Sequence, residues 1–310
     1  MTALLLIPLL VPFAVPPLAR RCLDRLAPVT ALWALTLAAV VLAGASVAAL
    51  GALVLTGLLK LPVFAGLGDL VHPLRTASDL VVLPSAAAAT GALTVGAWTL
   101  GRSALRQLRA FRAARSQADR RPTAGDLCVI ESPHPDAYAL PGRPHRIVVT
   151  TAMLRSLGAD EREALFAHER AHNAGGHHRF LVAAELAAHC HPGLRPVRAA
   201  IALAVERAAD EAAAVVVGDR RLTARAIARA ALATQASHST RPDFAPAATT
   251  GPVPQRVAAL LAAPARRPRA AASWIALLLT LCATASAGAS AAGVLDFHHE
   301  VEVAQGEEPR

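Results

Sequence analysis

Leu165-Phe166-Ala167-His168-Glu169-Arg170-Ala171-His172 is the stretch from which the rest of this chain is read. His-Glu-x-x-His on a helix is one of the few short motifs whose spacing already encodes a mechanism. Residues four apart share a helix face, so His168 and His172 can point at one zinc ion, each bonding at about 2.0–2.1 Å. Glu169 sits one step round the helix, where its carboxylate reaches an attacking water without becoming a ligand. That is the placement a general base needs. Asp160 followed by Glu163 suggests a capping box that opens the helix, Leu165 and Phe166 supply apolar positions ahead of the motif, and Gly175-Gly176 supplies a stop.

A catalytic zinc takes three protein ligands and keeps one position open, so another carboxylate or imidazole is expected farther along. Glu206 fits best, in the alanine-rich helical stretch Val205-Glu206-Arg207-Ala208-Ala209-Asp210-Glu211. Asp210 lies one turn later on the same face, where its carboxylate can accept the second N–H of a zinc-bound imidazole and fix the tautomer. Glu185 competes for the third position, but no aspartate follows it at one turn.

The pairing of His-Glu-x-x-His with a later Glu-x-x-Ala-Asp resembles the membrane gluzincin metallopeptidases, the BlaR/MecR-type peptidases most closely and HtpX-type proteases next. Ala137-Tyr138-Ala139-Leu140-Pro141-Gly142 and Arg146-Ile147-Val148-Val149-Thr150-Thr151 are similar to the short strands that precede the zinc helix in both groups. The resemblance runs from Leu127 to Leu261. It implies a zincin-like α+β peptidase that uses Zn2+, with His168, His172 and Glu206 as metal ligands, Glu169 as catalytic base and Asp210 behind the ligands.

Composition places that domain in a membrane protein. With 54% hydrophobic residues in 310, the chain is too apolar for an ordinary soluble domain and long enough for one globular unit plus membrane spans. A net charge of +9 could suggest nucleic acid, yet aromatic residues make up only 4% and the arginines cluster beside apolar runs, so no direct nucleic-acid contact is expected. Cys22, Cys128, Cys190 and Cys282 have no paired spacing and imply neither a disulfide framework nor a structural zinc site.

Four transmembrane helices are expected. Residues 3–19 are charge-free but carry Pro8, Pro12, Pro16 and Pro17, a kinked first span followed by Arg20, Arg21 and Arg25. Spans at 29–56 and 80–101 complete the first region, residues 1–101, and the loop between them has balanced charge. Arg102, Arg106, Arg109 and Arg112 make a basic helical stripe leaving the third span, followed by Arg115, Arg120 and Arg121. Residues 102–269 form the peptidase domain, 270–295 the fourth span, and 296–310 a short acidic tail. Arginines flank the spans on one side only, so the positive-inside rule puts the peptidase domain in the cytoplasm and both termini outside.

Within the peptidase domain, Leu127–Ile130, Ala137–Leu140 and Arg146–Thr150 read as strands, with turns at 133–135 and 141–144. Helices follow from Asp160 onward, broken at Pro192-Gly193 and Gly218-Asp219. The next runs from Arg220 to about Ser237, then comes a proline-containing loop at 238–254 and a short helix at Gln255–Leu261. His177 and His178 stand too near His172 to complete the tetrahedral set and read as surface residues. Neighbouring residues on a helix point in different directions, so His189-Cys190-His191 reads as structural, and Tyr138 as packing on a strand.

Three functions fit this reading. The first is an integral-membrane zinc endopeptidase of the cell membrane that cleaves a cytoplasmic protein, a transcriptional repressor being what the BlaR/MecR resemblance implies. The second is an HtpX-like quality-control protease for membrane proteins, and the third a non-catalytic receptor or scaffold keeping the fold. The tail beyond the fourth span is too short for the folded external sensor of the BlaR/MecR pattern. Neither an inducing signal nor an oligomeric state is written in the sequence.

Overall fold

The computed structural model describes residues 2–59, 79–234, 252–262, 280–282 and 284–292. Three helices, α1 (Thr2–Arg25), α2 (Pro28–Leu59) and α3 (Asp79–Asp119), contain segments long and apolar enough to cross a membrane. Each outruns its expected span. In α3 the basic stripe simply prolongs the apolar helix as far as Asp119. The expected fourth span at 270–295 lies mostly outside the described residues, although 280–282 and 284–292 are helical. The loop between the second and third spans and the acidic tail also lie outside them.

The helix α1 runs continuously through its four prolines, and another group takes up a backbone oxygen that one of them releases. Pro12 has no N–H to offer the carbonyl four residues back. That carbonyl belongs to Pro8, and it accepts the hydroxyl of Ser46 on α2 at 2.8 Å. At the next residue, His191 Nε2 donates to Leu9 O at 3.0 Å, while its Nδ1 accepts from Gly193 N–H at 3.1 Å. His191 is therefore structural, as the sequence suggested, and burial holds its pKa below the ordinary histidine value.

Four short strands follow α3: β1 (Thr123–Ala124), β2 (Leu127–Ile130), β3 (Ala137–Leu140) and β4 (Arg146–Thr150), in the order β1-β2-β4-β3. The register pairs Val129 with Val149 in the parallel β2–β4 ladder and Tyr138 with Val148 in the antiparallel β3–β4 ladder. Arg115 fastens α3 to this sheet, donating to Pro144 O at 2.8 Å and Arg143 O at 3.2 Å and pairing with Asp119. Gly142 is required beneath that guanidinium, since a Cβ there would lie 2.5 Å from Arg115 Nη1.

The remaining elements are α4 (Thr151–Ser156), α5 (Ala159–Ala174), α6 (His177–Cys190), a 3-10 turn (Pro192–Leu194), α7 (Arg195–Val217), α8 (Arg220–Thr234) and α9 (Val253–Leu261). The faces of α6 and α7 pack directly on α1 and α2. Val15, Cys22, Leu32 and Leu35 share one buried cluster with Phe180, Ala184, Leu194, Val197, Ile201 and Val205. Trp33 meets Phe180 edge to face at 4.9 Å, and Arg207 donates to Leu23 O at 2.6 Å. The helix α7, which carries Glu206 and Asp210, is thus built against the apolar helices.

Small residues set the spacing between α2 and α3. A Cβ on Gly57 would fall 2.2 Å from Ala86 Cβ, whereas one on Gly51 in the same helix meets nothing within 4 Å. Gly57→Ala is expected to push the helices apart at a cost of about 1–3 kcal/mol. Gly51→Ala should be neutral or slightly stabilising. Thermal unfolding of the two variants in detergent checks this, and equal effects would mean that helix propensity, not the close approach, dominates at Gly57.

Candidate metal centre

The helix α5 is held at both ends. Its N-cap is Gly158, two residues before the expected Asp160, and the reach-back carboxylate is Glu161 rather than Glu163, accepting from Gly158 N–H at 2.9 Å. Glu161 also accepts two bonds from Arg229 of α8, at 2.9 and 3.1 Å, which fixes where the helix begins. At the other end Gly175 N–H bonds back to Ala171 O, and Gly176 adopts φ 59°, a left-handed turn that suits glycine.

The motif's three side chains face inward from α5, and His168, Glu169 and His172 are all buried. Glu206 and Asp210, one turn apart on α7, face them and are buried as well. His168 Nε2 and His172 Nε2 lie 2.9 Å apart. The Glu206 carboxylate adds its oxygens at 3.5 Å from His168 Nε2 and 3.8 Å from His172 Nε2. One ligand atom from each of the three residues falls within 4.8 Å of the others. Glu185, the competing third ligand, is elsewhere, bonded to Ser103, His189 and Arg198.

The far side of each imidazole is occupied. His168 Nδ1 lies 3.1 Å from Asp210 Oδ1, and His172 Nδ1 lies 2.8 Å from His177 Nδ1. With Nδ1 protonated and directed outward on both rings, both Nε2 lone pairs and the Glu206 carboxylate converge on one point. Two imidazoles and a carboxylate with an outer partner on each imidazole form the donor set of a catalytic zinc site, so these residues fit a divalent cation. Burial lowers the His168 pKa, but the bonds to Asp210 and Glu206 outweigh it and carry the pKa up to about 9. The same carboxylates would favour a metal ion at that point.

His177 departs from its expected surface position. It is 6% exposed, and burial together with the neighbouring His168 and His178 pushes its pKa down to about 4. A neutral ring can accept the His172 N–H. The approach depends on Gly175, because a Cβ there would lie 2.5 Å from His177 Nε2. The Gly-Gly-His run was the available signal: two small residues let the chain double back, so a histidine five positions after a ligand returns to it.

Arg256 of α9 is the residue sequence reasoning missed. Completely buried, it donates to Asp210 through Nε at 2.8 Å and Nη2 at 2.6 Å, and its Nη1 lies 3.0 Å from Glu206 Oε2. Burial raises the Asp210 pKa, but the Arg256 guanidinium more than offsets it and holds the carboxyl below the usual aspartate value. Val253, Val257 and Leu260 join the apolar cluster beneath α9. Arg256 lies one turn from Leu260 on that side of the helix, and an arginine in such a position is a signal that it meets a buried acid.

His189 and Tyr138 keep structural roles. His189 Nε2 lies 3.1 Å from Glu185 and its Nδ1 3.2 Å from Thr99 Oγ1, joining α6 to α3, while Tyr138 packs with Cys128, Leu140 and Val148. The metal centre itself leads to one expectation. Purified chain should hold about one zinc ion, Glu206→Ala should lose it and Glu185→Ala should retain it, as read by elemental analysis. Retention by Glu206→Ala would remove Glu206 from the ligand set.

Comparison with known sequences agrees with this chemistry. The sequence model of Peptidase family M48 matches residues 104–192, well under half of the chain, covering the end of α3, the sheet, the His-Glu-x-x-His helix and α6. The match stops short of Glu206, Asp210 and Arg256. No curated protein and no solved structure matches the chain. Residues 104–192 are thus similar to Peptidase family M48, which supports a membrane-associated metallopeptidase.

Proposed function

We propose that the chain is an integral-membrane zinc endopeptidase. The observation that carries this reading is the convergence of the buried His168, His172 and Glu206 beside Glu169 between α5 and α7. In this mechanism zinc, when held by the three ligands, polarises the scissile carbonyl and makes water a better nucleophile at neutral pH. Glu169 accepts the proton of the attacking water on its carboxylate and delivers it to the leaving amine nitrogen. Asp210 and His177 each hold one imidazole by Nδ1, so both rings keep Nε2 directed inward. The surrounding side chains keep bulk water away, which strengthens every charge interaction at the site.

The substrate we propose is a protein, cut on the cytoplasmic side by a chain with four spans and both termini outside. The arginine asymmetry supports that orientation, and a repressor of the BlaR/MecR kind is one such substrate. A quality-control role of the HtpX kind is favoured by a different observation. The Glu206-bearing helix α7 and its neighbour α6 share a core with α1 and α2, so membrane-protein segments near the bilayer surface would come close to the site.

Glu169→Gln should keep zinc and fold while slowing cleavage of casein or of the chain itself by about 10²–10⁴-fold, because only the proton acceptor is lost. Wild-type turnover by this variant would rule out Glu169 as the base. Wild type that cleaves neither would favour a receptor or scaffold that keeps the fold. Orientation is read separately by labelling single cysteines in a background free of native ones. An impermeant reagent applied to intact cells should modify Gly306→Cys and spare Ser237→Cys, and the reverse pattern would invert the topology.

A further inference from the structure

We infer that Arg256 is a positioning residue of the metal centre, holding both Glu206 and Asp210 in the orientation in which they serve His168 and the metal. This inference rests on the metal-site reading above and extends the machinery to α9, an element outside the stretch that matches the peptidase family.

The geometry uses the whole guanidinium. One edge, Nε with Nη2, grips both oxygens of Asp210, and the remaining nitrogen Nη1 reaches Glu206 Oε2. Asp210 Oδ1 also lies 3.1 Å from His168 Nδ1, so the grip decides where that oxygen stands against the imidazole. On Glu206 the pairing engages Oε2 and leaves Oε1 facing His172 Nε2, at 3.8 Å. A planar fork with fixed donor directions orients Asp210 in this way and sets its remaining positive edge against Glu206, whereas a lysine ammonium, a point charge, does not. The charge matters as well. Glu169, Glu206 and Asp210 are buried around a single guanidinium, whose field extends to Glu169 as well as to the other two.

Arg256 is not the only group that docks α9. Leu260 is buried with Ala214, Ala224 and Ile227, and Arg220 donates to Leu260 O at 3.0 Å and Ala259 O at 3.1 Å while pairing with Glu211. The helix therefore has a second anchor, and the two anchors can be altered independently.

The test uses full-length protein in detergent and reads metal binding, not turnover. Zinc affinity is measured by competition with a chromophoric chelator, and the ligand field by the visible absorption of the Co2+-loaded protein. Arg256→Gln is expected to weaken zinc binding by about 10–100-fold, the range for losing an outer partner of a ligand, and to shift the Co2+ bands. Arg256→Lys should recover part of the affinity through its charge but keep the altered spectrum. Arg220→Gln should lower thermal stability and leave affinity and spectrum at wild-type values. Wild-type affinity and spectrum in Arg256→Gln would overturn the inference while leaving the metal site intact. So would an equal loss in Arg220→Gln, because the effect would then belong to helix docking. A wild-type chain that binds neither zinc nor cobalt would overturn the metal site and this inference together.

Discussion

Three carboxylates, Glu169, Glu206 and Asp210, are buried together with two histidines, Glu206 and Asp210 within 3.8 Å of them, and the surrounding structure has to balance them. Removing an ion from water costs several kcal/mol even after relaxation, and truncating one partner of a buried pair costs about 3–5 kcal/mol. The compensating charges come from separate elements. Arg256 arrives from α9, and the proton or metal on the histidines sits on α5, opposite the acids of α7. Electrostatic balance therefore joins three helices that are far apart in sequence, and the arrangement that suits catalysis is also what locks them together.

A similar rule about polar groups shapes the apolar half of the molecule. In a helix flanked by hydrocarbon or by other helices, a carbonyl released by proline has no water to turn to. Pro8 O, released by Pro12, is met by Ser46, and Leu9 O takes a further bond from His191, so the proline-rich α1 is attached both to α2 and to the turn before α7. The close packing at Gly193, where a Cβ would lie 3.0 Å from the backbone of Pro12 and Phe13, follows from the same attachment.

What was legible in the sequence was whatever short-range periodicity controls. The strands at 127–130, 137–140 and 146–150 occur at the bounds that alternation and turn residues suggest. Glu206 and Asp210 could be paired because four residues make a helical turn, and they do face His168. Reading failed where a contact depends on distant chain. Arg256 lies 46 residues beyond Asp210, and no local pattern couples the two. His177 was misread for the opposite reason: it looked too close in sequence to matter, yet Gly175 and Gly176 turn it back onto His172. The capping carboxylate was displaced by two residues because Arg229, a long-range partner, selects Glu161 over Glu163.

The shared core also bears on how separable the peptidase region is from the apolar helices. Phe180, Leu194, Val197, Ile201 and Val205 of the site-bearing region are buried against Val15, Cys22, Leu32 and Leu35. Burying a side chain of that size contributes about 1.5–3 kcal/mol, so the five together supply on the order of 10 kcal/mol if water is the alternative. That is comparable to the whole stability of an ordinary domain. A fragment lacking α1 and α2 would present this surface to water as a contiguous apolar patch, the kind that drives association. The loss would reach the metal centre directly. Val205 belongs to the shared core and Glu206 is the next residue on α7, so the face that anchors the helix in the apolar bundle also sets where its carboxylate stands.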